Sequence, residues 1–335
     1  MAKVLITGAS GFIGSFLVEE ALNRGFEVWA GVRKSSSLAY LQDKRIHCID
    51  LNFGDVSALK NQLLAFKQEF GNWDFVIHNL GATKVMRPDD FDRINFQFTR
   101  NLVASLIDCG MTPRKFIYMS SLSVCGPFDE VGRSMITEDY DPCPNTIYGI
   151  SKRKAELYLQ NLTDFSFIIL RPTGVYGPRE KDYFMMLKTI QAGFDFGVGI
   201  TPQYLSFIYV RDLARVAFLA IEKPVVNRTY FVSDGNSYLG SDFREIAQKY
   251  LPKKNVISIS LPLILVKVVS LFAENWAKLF GKSSTLNADK YKIMAQRNWI
   301  CDISPIQKEL HFEANYDLTK GLRESIEWYK QNNWL

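Results

Sequence analysis

A chain of 335 residues, 47% hydrophobic and 22% charged, has ordinary globular composition and is long enough for one large core or two smaller ones. Its net charge of +5 comes without a long basic run, which argues against nucleic acid as a partner. Five cysteines with no Cys-x-x-Cys pair and three scattered histidines argue against a disulfide framework and against a metal site.

The N-terminus, MAKVLITGAS, shows no charged leader followed by an apolar run and a cleavage site. The expectation is a cytoplasmic protein, with contact to the inner face of a membrane left open by a later segment. In chain order, KVLIT (3–7) reads as a strand and residues 11–24 as a helix. Strands are expected at 26–33 and 45–50, then a helix over 55–70 capped by Asp55. A strand at 73–79 precedes a long helix over 89–110 that ends at Gly110. A strand at 115–120, a helix over 146–161 and a strand at 165–171 complete the alternation. Near-continuous apolar strands between helices predict a parallel sheet covered on both faces. The fold class is α/β, a doubly wound Rossmann sheet with a smaller, mostly helical C-terminal substrate domain. Residues 1–178 are expected to form the NADP-binding domain, with sheet elements recurring to about 235, and 179–335 the substrate-binding region.

Between the first strand and the first helix lies TGASGFIG. Gly8 suits a tight turn, Gly11 a close backbone approach to pyrophosphate, and Gly14 close packing of helix on strand. Together with Ser10, Phe12 and Ile13 they open a helix whose free N–H groups attract phosphate. At the end of the second strand, where a carboxylate would hold the ribose hydroxyls of NAD, stand Arg33 and Lys34. A guanidinium suits a 2′-phosphate, so NADP is expected rather than NAD. Asp50 and Leu51, ending the third strand, would flank the adenine.

The spacing Tyr-x-x-x-Lys occurs at Tyr40/Lys44, Tyr148/Lys152, Tyr250/Lys254 and Tyr316/Lys320, so spacing alone decides nothing. Pro252 breaks the third pair, and Asp317 as an N-cap leaves Tyr316 outside its helix. Only Tyr148/Lys152 begins a long helix just after a strand with hydroxyls at its C-terminal end, where ligands bind in open α/β sheets. A tyrosine titrates near pH ~10, and a neighbouring ammonium is expected to lower that value. Tyr148 would then move the proton while Ser121 hydrogen-bonds the substrate oxygen.

These pieces resemble the extended short-chain dehydrogenase/reductase family. The matching motifs are TGASGFIG, HNLGA, YMSSLSVCG, YGISK, RPTGVYGP and FIYVRDLAR, in family order over about residues 3–220. The resemblance implies Ser121, Tyr148 and Lys152 as the catalytic set, with Tyr148 and Lys152 also touching the cofactor. It implies that Leu80, Gly81 and Ala82 line the cofactor and that Asn95 stands near the active site. Pro172 and Val175 would contact the nicotinamide through their backbone, and Arg179 would face cofactor phosphate or substrate. Three departures stand out. Arg33 resembles the NADP-using reductase branch and not the NAD-using sugar epimerase branch. Cys125 replaces a commoner tyrosine and reads as a small buried residue, and Asn79 is polar where an apolar residue is usual. The resemblance also implies a homodimer through the helices at about 89–110 and 146–161.

The C-terminal segment LPLILVKVVSLFAENWAKLFG (261–281) carries Lys267, Ser270, Glu274 and Lys278 as one polar stripe on an apolar helix. It reads either as a core helix of the small domain or as an interfacial helix touching a membrane. The segment resembles the steroid-dehydrogenase-like and flavonoid-reductase-like branches. The expected activity is therefore NADP-dependent interconversion of a ketone and a secondary alcohol on a steroid-like or keto-lipid-like small molecule. The alternatives are a nucleotide-sugar epimerase or dehydratase and a non-catalytic NADP-binding subunit.

Overall fold

The computed structural model describes residues 1–252, 255–279 and 288–335, apart from the side chains of residues 274, 275 and 277–279. What the sequence says of Lys254, Glu274, Lys278 and residues 280–281 lies outside the described residues.

Seven parallel strands form one sheet. β1 (Lys3–Thr7) lies inside it, third from one edge. On one side lie β2 (Glu27–Gly31) and β3 (Ile46–Ile49); on the other lie β4 (Phe75–His78), β5 (Lys115–Met119) and β6 (Phe167–Pro172). Arg228–Val232 pairs with β6 and closes that edge, so the sheet draws a strand from well beyond residue 178. β1, β2, β4, β5 and β6 are largely buried because helices cover both faces, whereas His47 and Cys48 of β3 are exposed. α1 (Phe12–Asn23) and Val210–Glu222 cover one core, which contains Phe16, Leu17, Ala217 and Phe218. α2 (Val56–Phe70), α4 (Phe98–Asp108) and α5 (Ile147–Gln160) cover the other, which contains Leu63, Leu102, Leu106 and Leu159.

Local capping explains several boundaries. Asp55 accepts a hydrogen bond from Ala58 N at 3.0 Å and starts α2. Asp317 accepts one from Lys320 N at 2.7 Å, which leaves Tyr316 outside the helix Leu318–Gln331. The helix expected over 89–110 is not uniform. It begins as α3 (Asp89–Phe91), passes through a π-helical segment Asp92–Gln97, continues as α4, and ends against Gly110 at φ +60°.

The helix Leu263–Leu279 overturns the core-helix reading. Ile264, Leu265, Val268, Val269, Phe272 and Trp276 are 41–72% exposed. Ser270, a member of the polar stripe, is buried and donates its hydroxyl to Val266 O at 2.7 Å. A small side chain that satisfies its own hydroxyl fits the narrow seam against the protein, and the bulky apolar residues are left outside. Among the described residues no helix is long and apolar enough to cross a membrane.

Candidate active site

The glycine loop is built as its sequence requires. Gly8 adopts φ +67°, and a Cβ there would lie 2.9 Å from Asn79 O. A Cβ on Gly14 would lie 2.1 Å from Gly8 O, so only glycine lets α1 pack this closely on the turn. No side chain caps α1 at Gly11, which leaves the first-turn N–H groups for an anion. The Phe12 and Ile13 side chains pack on the core, so these two residues offer only backbone. Ser10 is half-buried beside the exposed Gly11.

At the end of β2 the chain turns tightly. Ser36 N donates to Arg33 O at 2.8 Å, and Arg33 N donates to Ser36 Oγ at 3.1 Å. Asp50 Oδ2 accepts from Lys34 N at 3.3 Å, which ties the turn to the end of β3. Arg33 and Lys34 extend into solvent, whereas Leu51 is buried in the core. Arg179 sits at φ +73°, between the rings of Phe16 and Tyr40 at 4.3 and 4.1 Å. Its guanidinium donates to Ser15 Oγ at 2.8 Å and to Glu19, so the structure places it on α1.

Thr146 caps α5 by accepting from Gly149 N at 3.0 Å, and Tyr148 lies in the first turn. Ser121 follows β5 and caps a 3₁₀ turn, accepting from Ser123 N at 3.2 Å. Ser121 lies near enough to Tyr148 to favour its ionised form. One turn further along α5, Lys152 Nζ donates to Met119 O at 2.8 Å and lies 4.9 Å from the centre of the Tyr118 ring. Sequence spacing predicted a tyrosine made more acidic by this lysine. Instead burial pushes Tyr148 up to about 12, with Ser121 pulling the other way. Burial also lowers Lys152 to about 8, partly opposed by Glu156. The lysine proton faces a backbone carbonyl, and desolvation outweighs attraction.

This predicts a pH limb. Lys152 should lose its charge as pH rises through about 8, far below the usual lysine range. Turnover dependent on that charge should fall above that pH, and Lys152→Arg should move the limb upward because guanidinium stays protonated. A kcat profile that stays flat to the ordinary lysine range would refute it.

Gly81, Ala82 and Asn95 form one unit with α5. Asn95 Oδ1 accepts from Ala82 N at 2.7 Å, while Nδ2 donates to Ala82 O at 3.1 Å and to Ser151 Oγ at 2.9 Å. A Cβ on Gly81 would stand 2.9 Å from Lys152 Nζ, so glycine here gives the lysine its room. Asn95 is fully buried and its amide is spent on the chain, which makes it a positioning residue.

His78 was not recognised as part of this site from sequence. Leu80 N donates to Thr7 Oγ1 at 3.1 Å, and Thr7 Oγ1 meets His78 Nδ1 at 2.9 Å. His78 Nε2 meets Thr99 Oγ1 at 3.0 Å, and Thr99 donates onward to Asn95 O at 2.9 Å. Because Thr99 donates to Asn95, the consistent tautomer carries its proton on Nε2. Burial, aided by the Lys152 charge, lowers His78 to about 3 and keeps it neutral. The chain of donors fixes β1, β4 and the 80–82 segment together.

Pro172 ends β6 in the core, and Val175 follows, partly buried against it. Cys125 is buried, as its small size suggested. From the C-terminal part, Asp289 Oδ2 accepts from Tyr148 N at 3.2 Å and Lys292 Nζ donates to Asn145 O at 2.7 Å. The helix Ala288–Ala295 thus braces the start of α5. Phe91 stands 6.0 Å from Tyr148, ring to ring.

Residues 4–232 match the model of the NAD dependent epimerase/dehydratase family. The chain is 26% identical to UDP-glucose 4-epimerase of Vibrio cholerae, covering 99% of this chain and 96% of that protein. It is 23% identical to the decarboxylating sterol-4-alpha-carboxylate 3-dehydrogenase ERG26 of Saccharomyces cerevisiae, covering 97% of each. It is 22% identical to a ceramide reductase of Caulobacter vibrioides, covering 99% of this chain and 96% of that protein.

Proposed function

The chain belongs to the NAD dependent epimerase/dehydratase family, and from that premise we propose an NADP-dependent oxidoreductase that interconverts a ketone and a secondary alcohol on a steroid-like or keto-lipid-like substrate. The observation that carries the chemistry is Lys152 Nζ held on Met119 O one turn along α5 from Tyr148, with Ser121 following β5 beside them. Two neighbouring hydroxyls can hold a carbonyl oxygen: Ser121 orients it and Tyr148 gives it a proton in the reductive direction. A bound nicotinamide dinucleotide supplies the hydride. The cradle fits such a group, since a Cβ at Gly8 or Gly14 would collide with backbone and the N-terminus of α1 is uncapped.

The exposed Arg33 and Lys34 support NADP. Arg33→Ala is expected to weaken NADPH binding ~10-fold or more and leave NADH binding unchanged, since one charge-assisted contact contributes about 1.5–3 kcal/mol. Equal effects on both cofactors, measured by fluorescence titration, would return the protein to NAD.

Likeness to a sterol dehydrogenase and a ceramide reductase supports an apolar substrate. A nucleotide-sugar epimerase is the second reading, favoured by the likeness to the Vibrio cholerae enzyme. The discriminating assay follows NADPH absorbance with hydrophobic ketones in mixed micelles and, separately, with nucleotide sugars whose products are weighed. NADPH loss with ketones supports the reductase. Altered sugars without net NADPH loss would replace it with the epimerase. We also propose a homodimer through α4 and α5, supported by the exposed Ile147, Ile150 and Leu157 of α5.

A further inference from the structure

We propose that the surface formed by the helix Leu263–Leu279 and the strand pair before it docks on an anionic lipid bilayer. At 100° per residue, Ile264, Leu265, Val268, Val269, Phe272 and Trp276 fall within an arc of about 140° on the helix. All six are exposed, while Val266 and Ser270 occupy the opposite, protein-facing sector. A surface helix of a protein in water turns its apolar arc inward; this one turns it outward. The exposed surface continues through Pro262 into Ile257–Leu261, which pairs in parallel with Phe194–Val198. Phe194 partners Ile257 and Phe196 partners Ile259, so these four exposed side chains share one face of the pair.

Charge selects the occupant. Residues 249–292 hold eight lysines against two acids, so the whole positive excess of the chain is concentrated here and the remainder is close to neutral. A lysine-rich segment that carries an exposed apolar face, with Trp276 on it, suits the anionic headgroups and the acyl boundary of a membrane. The same charge opposes a second copy, because apposing two such faces would bring two strongly basic segments together. The docking helix also leads toward Ala288–Ala295, the helix that braces Tyr148. Docking would thus bring the helix that braces Tyr148 toward the lipid. It goes beyond the substrate assignment, because a protein acting on a soluble substrate could dock in the same way.

The test is co-sedimentation of the full chain with vesicles of phosphatidylcholine alone or mixed with phosphatidylglycerol, at low and high salt. The expected result is ~10-fold or stronger binding to the anionic vesicles, weakened by salt. Phe272→Ser combined with Trp276→Ser should cut that binding ~10-fold or more, and Lys267→Glu should reduce it. NADPH binding by each variant confirms an intact fold and keeps a failure of docking separate from a failure of the substrate assignment. Absence of binding to anionic vesicles by the parent protein would overturn the proposal. So would a concentration-dependent dimer that the double variant dissolves without any vesicle binding, which would assign the face to a second copy.

Discussion

Tyr148→Phe is expected to bind cofactor as the parent protein does and to turn over ~10²–10⁴-fold more slowly, the range attributed to one positioned acid/base group. The substitution removes only the hydroxyl. The ring keeps its edge-on contact with Phe91, and the backbone keeps its bond to Asp289. The check is single-turnover kinetics beside a cofactor titration. A fall in kcat with unchanged cofactor affinity fits the assignment. Unchanged turnover would mean that Tyr148 is not the proton donor.

Glu156→Ala should lower stability by about 3–5 kcal/mol, the cost of leaving a buried charge without its partner. Glu156 is 0% exposed. It receives Ser120 Oγ at 2.6 Å, Arg171 Nε at 3.0 Å and a second Arg171 nitrogen at 2.7 Å, with Arg153 at 3.2 Å. Burial lowers the affinity of Arg171 for its proton, and the bidentate pairing with Glu156 more than restores it. Removing the carboxylate strands that guanidinium in the core. The network joins α5 to the ends of β5 and β6, one residue from Ser121 and one turn from Lys152. Urea midpoints would show the loss, and Glu156→Gln, which keeps some hydrogen bonds, should lose less. A change below about 1 kcal/mol would mean that the pair behaves like one in water.

What the sequence made legible was local. Gly8 at φ +67° and Gly14 against Gly8 O announce a tight turn, and Asp55 and Asp317 announce helix starts, because each of these features involves residues close by in the chain. Tyr148 and Lys152 were separated from three chance matches by their place after β5. The rest depended on distant partners. His78 meets Thr7 across 71 positions, and Asn95 meets Ser151 across 56. Nothing near any of these residues in the chain marks that meeting. The direction of the Tyr148 shift failed for the same reason, since desolvation belongs to the surroundings and not to the pair. The periodic pattern put Lys267 and Ser270 in one stripe but could not show which side meets the protein, and Ser270 is buried while Lys267 is exposed.

The π-helical segment Asp92–Gln97 sets two kinds of fitness against each other. A wider turn holds a residue more than an α-turn needs, so deleting one residue there would let α3 and α4 fuse into a regular helix with better-aligned hydrogen bonds. The same deletion would rotate everything on one side of it by about 100°. Asn95 would swing off Ala82 and Ser151, or Thr99 would swing off His78. A shorter chain here would gain helical regularity and lose the clamp on the segment beside Lys152, so the irregularity stays heritable only while selection acts on the site it holds.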